Sequence, residues 1–361
     1  MGTEQAVVID AGGHPVHAGA SALEALAATI ALSAPASVVV LADAHTAAHC
    51  LPELQRHVPV LNDRPVLTIP AGEASKSLDT CARLWGELTA LDVDRNALLV
   101  CLGGGVVTDL GGFVAATYKR GIRCAHVPTS LMGMVDAAIG GKTAIDLQGV
   151  KNLVGVFHDP VGVYVHPPFL RTLPARERMS GVAEMLKHGL VHDADHWHAV
   201  VGAMGDGLEA LTSLVPRSAA IKAELVKADP RERGVRKLLN CGHSIGHGVE
   251  STALETGHDL LHGEAVAIGL VAEAWIAVQL RMFAPADLAE VTRAITRCFS
   301  MAPLRALPTE RVLEHMRHDK KNAGRTLRFA LPTAIGRAVA DVPVEPDLVR
   351  RALDHCRLPA S

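Results

Sequence analysis

Short runs of β-branched residues alternate with amphipathic stretches through the first half of the chain. That alternation predicts a parallel sheet flanked by helices. The expected strands are Ser37–Ala42, Val66–Ile69, Ala97–Leu102, Cys124–Val127 and Val161–Val165. After Pro167-Pro168 the texture changes to long segments rich in Ala, Leu, Glu and Lys with helical periodicity. Helices are expected over Ala175–Gly189, Arg217–Ala228, His243–Thr252, His262–Gln279 and Ala286–Phe299, with a late hairpin at Arg328–Leu331 and Arg337–Val339. The fold class expected is an α/β N-terminal Rossmann-like domain with a parallel sheet, residues 1–167, followed by a mainly α-helical domain, residues 168–361.

Composition supports a folded enzyme-sized chain and excludes some partners. With 361 residues, 49% of them apolar and 20% charged, there is enough material for two cores. A net charge of -3 offers no global attraction to nucleic acid or to an anionic membrane. The seven cysteines are scattered, form no C-x-x-C pair, and read as buried thiols in a reducing compartment. The first twenty residues lack the basic end and apolar centre of a signal peptide, and no apolar run reaches membrane-spanning length. A cytoplasmic protein is expected.

Three features carry chemistry. Strand-like Ala97–Leu102 runs into Gly103-Gly104-Gly105 and then an apolar helical stretch containing Asp109, so backbone N–H groups at a helix start can meet a dinucleotide pyrophosphate. The spacing is neither G-x-G-x-x-G nor a P-loop, and a plain strand-to-helix turn is the bland alternative. Asp43, ending an earlier strand, is placed to accept hydrogen bonds from a ribose. Glu73 and Lys76 lie in another strand-to-helix connection, where an exposed helix-start pair is the competing reading. In the helical half, Glu184 with Lys187, His243 with His247, and His262 before an apolar helix gather one carboxylate and several imidazoles. Glu184, His243 and His262 form a suitable set for a divalent metal with open positions, although His188 and His247 also have metal-compatible spacing. Basic and amide groups are dense around these segments: Lys142, Lys151, Asn152, Lys187, Lys222, Arg236 and Lys321, with Arg120 upstream. An anionic ligand would explain them; for Lys222 a solvated helix face is the alternative.

Taken in order, Gly103–Phe113, the segment from Met134 through Gly140-Gly141-Lys142-Thr143, Gly149-Val150-Lys151-Asn152, Glu184-x-x-Lys187, Asn240-x-Gly242-His243-x-x-Gly246-His247 and His262-Gly263-Glu264 resemble the sugar-phosphate cyclases, and among them the dehydroquinate synthase family. The resemblance runs from Val38 to Asp341. It implies Glu184, His243 and His262 as ligands of zinc or cobalt. It implies NAD against Gly103, Gly104, Gly105, Asp109, Thr129, Ser130 and Thr172, with Asp43, Glu73 and Lys76 toward the adenosine. Substrate phosphate and carboxylate would meet Lys142, Lys151, Asn152, Lys187, Lys222, Arg236, His247 and Lys321, with Asp136 and Asn240 on the polyol. Arg120 looks like the family arginine that reaches a neighbouring subunit, which implies a homodimer. His45 departs from the asparagine common in relatives, and Thr252–Leu261 is slightly longer than usual.

The implied reaction converts 3-deoxy-D-arabino-heptulosonate 7-phosphate to 3-dehydroquinate and phosphate through transient oxidation by NAD, phosphate elimination, reduction, ring opening and aldol closure. Competing readings are an aminodehydroquinate-type cyclase, a metal-dependent glycerol or polyol dehydrogenase, and a silent scaffold on the same fold. The number of basic groups argues against the dehydrogenase, since they suit a substrate carrying more than one negative charge.

Overall fold

The structure is a computed structural model that describes residues 6–148, 150–318 and 327–358. The chain divides into two compact units. The first holds residues 1–174 and 215–230, and the second 175–214 and 231–361. The division therefore falls at Pro174/Ala175 rather than after residue 167, and the segment Val215–Pro230 returns to the first unit. Amphipathic periodicity reports that this segment is a helix and which face it buries, but not which core receives that face.

Among the described residues eleven strands occur in chain order: β1 Val7–Asp10, β2 Pro15–Ala18, β3 Val38–Asp43, β4 Val66–Ile69, β5 Leu98–Gly103, β6 Arg123–Pro128, β7 Lys142–Leu147, β8 Val150–Phe157, β9 Val163–Val165, β10 Leu327–Ala334 and β11 Arg337–Val344. In the first unit a seven-stranded sheet has the order β1-β2-β9-β6-β5-β3-β4. All its neighbours are parallel except the β1/β2 pair. The central strands β3 and β5 are apolar and buried along nearly their whole length, as expected for strands covered on both faces. The helix Gly105–Thr117 packs on β5 and β6, and Gly111 allows the approach: a Cβ there would collide with the Cys101 sulfur. The expected strands are all present within one or two residues at each end. The β1/β2 pair and the antiparallel β7/β8 hairpin were not anticipated.

The second unit is built around the helix His262–Gln279, thirteen of whose residues are buried. A helix apolar all round is a helix covered all round, and here Ala175–His192, His243–Glu255, Pro285–Thr296 and Pro346–Arg357 cover it. The β10/β11 hairpin belongs to this unit. The last helix was missed, although Val349, Ala352, Leu353 and Cys356 give it an apolar stripe and Pro346 a fixed first turn. Lys321 lies outside the described residues. No described helix is long and apolar enough to cross a membrane.

All seven cysteines are free, and six are buried. Burial pushes the Cys50 thiol up to about 11 and those of Cys81 and Cys124 to about 12, which makes them poor nucleophiles. His126, on β6, is 3% exposed, and its Nδ1 finds no hydrogen-bond partner among the described residues. Burial, then the neighbouring His14 and His158, lower its pKa to about 3. The folded state thus holds His126 neutral while the unfolded chain takes up a proton below about pH 6.5, so its contribution to stability is lost as pH falls through that window. Urea unfolding at pH 7 and pH 4.5 should show a loss roughly 2–3 kcal/mol smaller in His126→Gln than in the parent. An equal loss in both would show that His126 carries none of the acid sensitivity.

Candidate active site

In the second unit, three helices deliver one carboxylate and three imidazoles to a single point. Glu184 and Lys187 lie one turn apart on Ala175–His192, with exposures of 0% and 1%. Lys187 Nζ pairs with Glu184 Oε2. The other oxygen, Oε1, lies 3.4 Å from His243 Nε2 and 3.6 Å from His262 Nε2. His243 opens the helix His243–Glu255, and His262 opens the next. His247, one turn beyond His243, sets its ring edge-on to that of His243 at 5.2 Å and tilted against that of His262 at 5.7 Å. Nitrogen atoms of the three histidines all lie within 4.8 Å of one another.

The rings are oriented from behind. His243 Nδ1 faces the Cys241 carbonyl oxygen at 3.2 Å, and His262 Nδ1 faces Glu250 Oε2 at 3.0 Å. A proton on each Nδ1 donates to these acceptors and leaves a lone pair on each Nε2, the arrangement that metal-binding histidines use. Electrostatics separate the two rings. Burial first, and then the Lys187 ammonium, push His243 well below the ordinary imidazole range. Burial also opposes charge on His262, but Glu250 and Glu184 outweigh it and raise that pKa to about 10. The site therefore attracts positive charge at Nε2 of His262.

Two features hold the helices this close. A Cβ at Gly263 would strike the Ser180 carbonyl, and one at Gly269 the Gly242 carbonyl, so only glycine permits these backbone approaches. Gly242 precedes His243 at φ 78°, a conformation that glycine adopts freely. Its N–H and that of Ile245 donate to Glu273 at 2.6 and 3.0 Å. Glu273 is fully buried and comes from the middle of the apolar helix, so a carboxylate from one helix satisfies the open N–H groups of another. Neither Glu250 nor Glu273 was anticipated. The available signals were Glu250 on the face of His243 and His247 (i, i+4, i+7), and one acid inside an otherwise apolar helix. Arg236 is 1% exposed, and Asn240 donates to Glu232 at 2.7 Å.

In the first unit, β5 ends at Gly103 and the helix Gly105–Thr117 begins at once, with Gly104 as an N-cap that offers no side chain to its open N–H groups. The Thr129 N–H donates to the Gly103 carbonyl at 3.0 Å, and a Cβ at Gly104 would approach Ser130 Oγ to 3.1 Å. Thr129 and Ser130 therefore lie beside the glycine turn. The Thr172 hydroxyl donates to the Phe169 carbonyl at 3.1 Å and lies 4.0 Å from Cys50 Sγ, at the end of the helix Ala44–His49. Asp43 Oδ1 accepts the N–H groups of His45 and Thr46, both at 2.9 Å, and so caps the helix Ala44–His49.

Lys76, 4% exposed, reaches Asp109 at 2.6 Å and also bonds the Asn152 side-chain oxygen. Burial opposes its charge, but Asp109 and Glu73 outweigh burial and raise its pKa. Glu73 lies 3.8 Å from Lys151. Residues separately expected for nucleotide and for substrate thus meet in one cluster. Asn152 adopts a left-handed φ of 53°, which asparagine tolerates better than most residues. Lys222, on Val215–Ala228, pairs with Asp136 at 2.5 Å, and the helix's return to this unit makes that contact possible. Lys142 is exposed at the start of β7, and Arg120 is exposed at φ 67°.

Comparison with known proteins bears on both units. The fold is shared with 2-deoxy-scyllo-inosose synthase, solved with carbaglucose-6-phosphate, NAD+ and Co2+ (TM-score 0.84, 22% identity, 97% of this chain and 99% of that one). It is shared as well with 2-epi-5-epi-valiolone synthase from Streptomyces hygroscopicus, solved with NAD+ and Zn2+ (TM-score 0.80, 28% identity, 92% and 94%). The architecture is therefore that of the sugar-phosphate cyclases. Residues 66–180 match the family described as 3-dehydroquinate synthase N-terminal, and residues 181–322 its C-terminal counterpart. A 3-dehydroquinate synthase of Parabacteroides distasonis is 39% identical over 320 residues, covering 88% of this chain and 90% of its own. The chain belongs to the 3-dehydroquinate synthase family.

Glu273→Ala removes the acceptor of two buried N–H groups and should destabilise the protein by about 3 kcal/mol in urea unfolding, with Glu273→Gln losing less. A loss below about 0.5 kcal/mol in the alanine variant would show that those N–H groups find other partners.

Proposed function

We propose that the chain converts 3-deoxy-D-arabino-heptulosonate 7-phosphate to 3-dehydroquinate and phosphate, as a phosphate-eliminating carbon-oxygen lyase that uses NAD and one divalent metal ion. The observation that carries the reading is Glu184 Oε1 at 3.4 and 3.6 Å from two oriented Nε2 atoms. Ligands about 2.1 Å from a tetrahedral zinc ion are about 3.4 Å from one another, so the donor set fits zinc, or cobalt with the same preference. Three protein ligands leave a position open for substrate.

When bound, the metal supplies Lewis acidity at a substrate hydroxyl, and NAD+ accepts and later returns a hydride. The chain's own groups do the rest. Lys187 holds one oxygen of Glu184 and thereby turns the other toward the histidines. Glu250 and the Cys241 carbonyl keep protons on the Nδ1 atoms, away from the ligand face. The N–H groups that follow Gly104 provide the charge complement for a pyrophosphate. Asp109, Thr129, Ser130 and Lys76 are assigned to the same nucleotide, with Asp43, Glu73 and Thr172 at its periphery. Lys142, Lys151, Asn152, Lys222, Arg236 and Lys321 are assigned to the phosphate and carboxylate of the substrate, where ammonium and guanidinium groups stabilise the departing anion. Asp136, Asn240 and His247 are assigned to its hydroxyls and to proton transfer. The protein is assigned to the cytoplasm, a reading supported by its seven free cysteines. It is assigned as a homodimer, in which the exposed Arg120 contributes to the partner's phosphate site.

Incubation with the heptulosonate phosphate, NAD+ and zinc or cobalt should release phosphate and 3-dehydroquinate in equal amounts without net NADH. Accumulation of NADH without phosphate would establish the polyol dehydrogenase reading instead. Glu184→Ala should leave the fold intact by circular dichroism, abolish stoichiometric metal binding and lower turnover by more than about 100-fold, beyond the loss typical of a residue behind the ligands. A metal-replete, active variant would overturn the ligand assignment.

A further inference from the structure

A second cluster in the first unit repeats the geometry of the Glu184 site with different residues. Glu53 and His57 lie one turn apart on the helix Leu51–His57, and His166 follows β9 directly. Glu53 Oε1 is 3.4 Å from His166 Nε2 and 3.7 Å from His57 Nε2. These spacings match the 3.4 and 3.6 Å about Glu184 Oε1. His57 is also oriented from behind by a carboxylate: its Nδ1 faces Glu24 Oε1 at 2.9 Å, as His262 Nδ1 faces Glu250. His166 is only 3% exposed and packs edge-to-face with Phe169, with centroids 5.0 Å apart, so its aim is set by packing.

We propose that Glu53, His57 and His166, with Glu24 behind His57, form a second binding site for a divalent cation of zinc's class. Two imidazoles and one carboxylate select zinc or cobalt over magnesium or calcium, which prefer all-oxygen shells. The ligands come from a helix and from the end of a sheet strand, so a bound ion ties the two together and stabilises this unit without taking part in the chemistry. One group competes for the position. Arg56 Nη2 lies 2.8 Å from Glu53 Oε1, but its side chain is 66% exposed and can turn into solvent when a cation arrives.

The test is metal stoichiometry on the full chain, loaded with zinc and stripped of loosely held ions on a chelating resin. The proposal expects two zinc ions per chain in the parent, one in Glu184→Ala, and one in each of His57→Asn and Glu53→Gln. Parent-like turnover in His57→Asn would support a site separate from catalysis. One zinc ion in the parent, lost in Glu184→Ala, would overturn the second site and leave the catalytic assignment standing. Two ions retained in both His57→Asn and Glu53→Gln would overturn it equally.

Discussion

A carboxylate with no exposure to water is costly unless positive charge surrounds it, and Glu184 is such a group. Lys187 neutralises one of its oxygens and two imidazoles face the other. The arrangement is asymmetric by construction: one oxygen is fully committed, while the other is left where a cation would have three donors. Removing Lys187 would expose the remaining pair to an unbalanced negative charge, so the lysine shapes the ligand geometry even before any role toward an anionic substrate.

The distances around Glu184 depend on backbone contacts that no side chain could tolerate. Gly263 against Ser180 and Gly269 against Gly242 bring three helices together where two of them begin, with His243 and His262, beside Glu184 of the third. Helix starts leave N–H groups open, and Glu273 closes two of them from the neighbouring helix. The same carboxylate fixes the start of the His243 helix and hence the position from which His243 projects. Packing and site geometry are therefore one set of contacts.

Much of this was legible in the residues themselves. The β-branched runs marked five of the six mutually parallel strands, and His262–Gln279 was read with both ends correct, because His-Gly-Glu opens it and Glu273 is the one charged residue in the apolar run that follows. Glu184, His243 and His262 stood out because glycines flank both histidines and each begins an apolar helix, with His188 and His247 as competitors by spacing; the order of several family motifs favours the same set. What stayed hidden was long-range. Nothing within Val215–Pro230 tells which core its apolar face joins. The β7/β8 hairpin was not legible because Lys142-Thr143-Ala144-Ile145 does not alternate polar with apolar residues, although the strand it forms alternates in burial. Glu250 and Glu273 act on atoms 12 and 31 residues away, and local pattern is blind to such partners.

The return of Val215–Ala228 to the first unit has a consequence for how the protein can be dissected. The backbone passes from one unit to the other three times, at Pro174, Leu214 and Pro230. A fragment ending at the first of these junctions would keep the glycine turn and the whole seven-stranded sheet yet leave Asp136 without Lys222. Modularity here is spatial and not linear, so gene fusion or domain shuffling at a single cut would separate residues that must be inherited together.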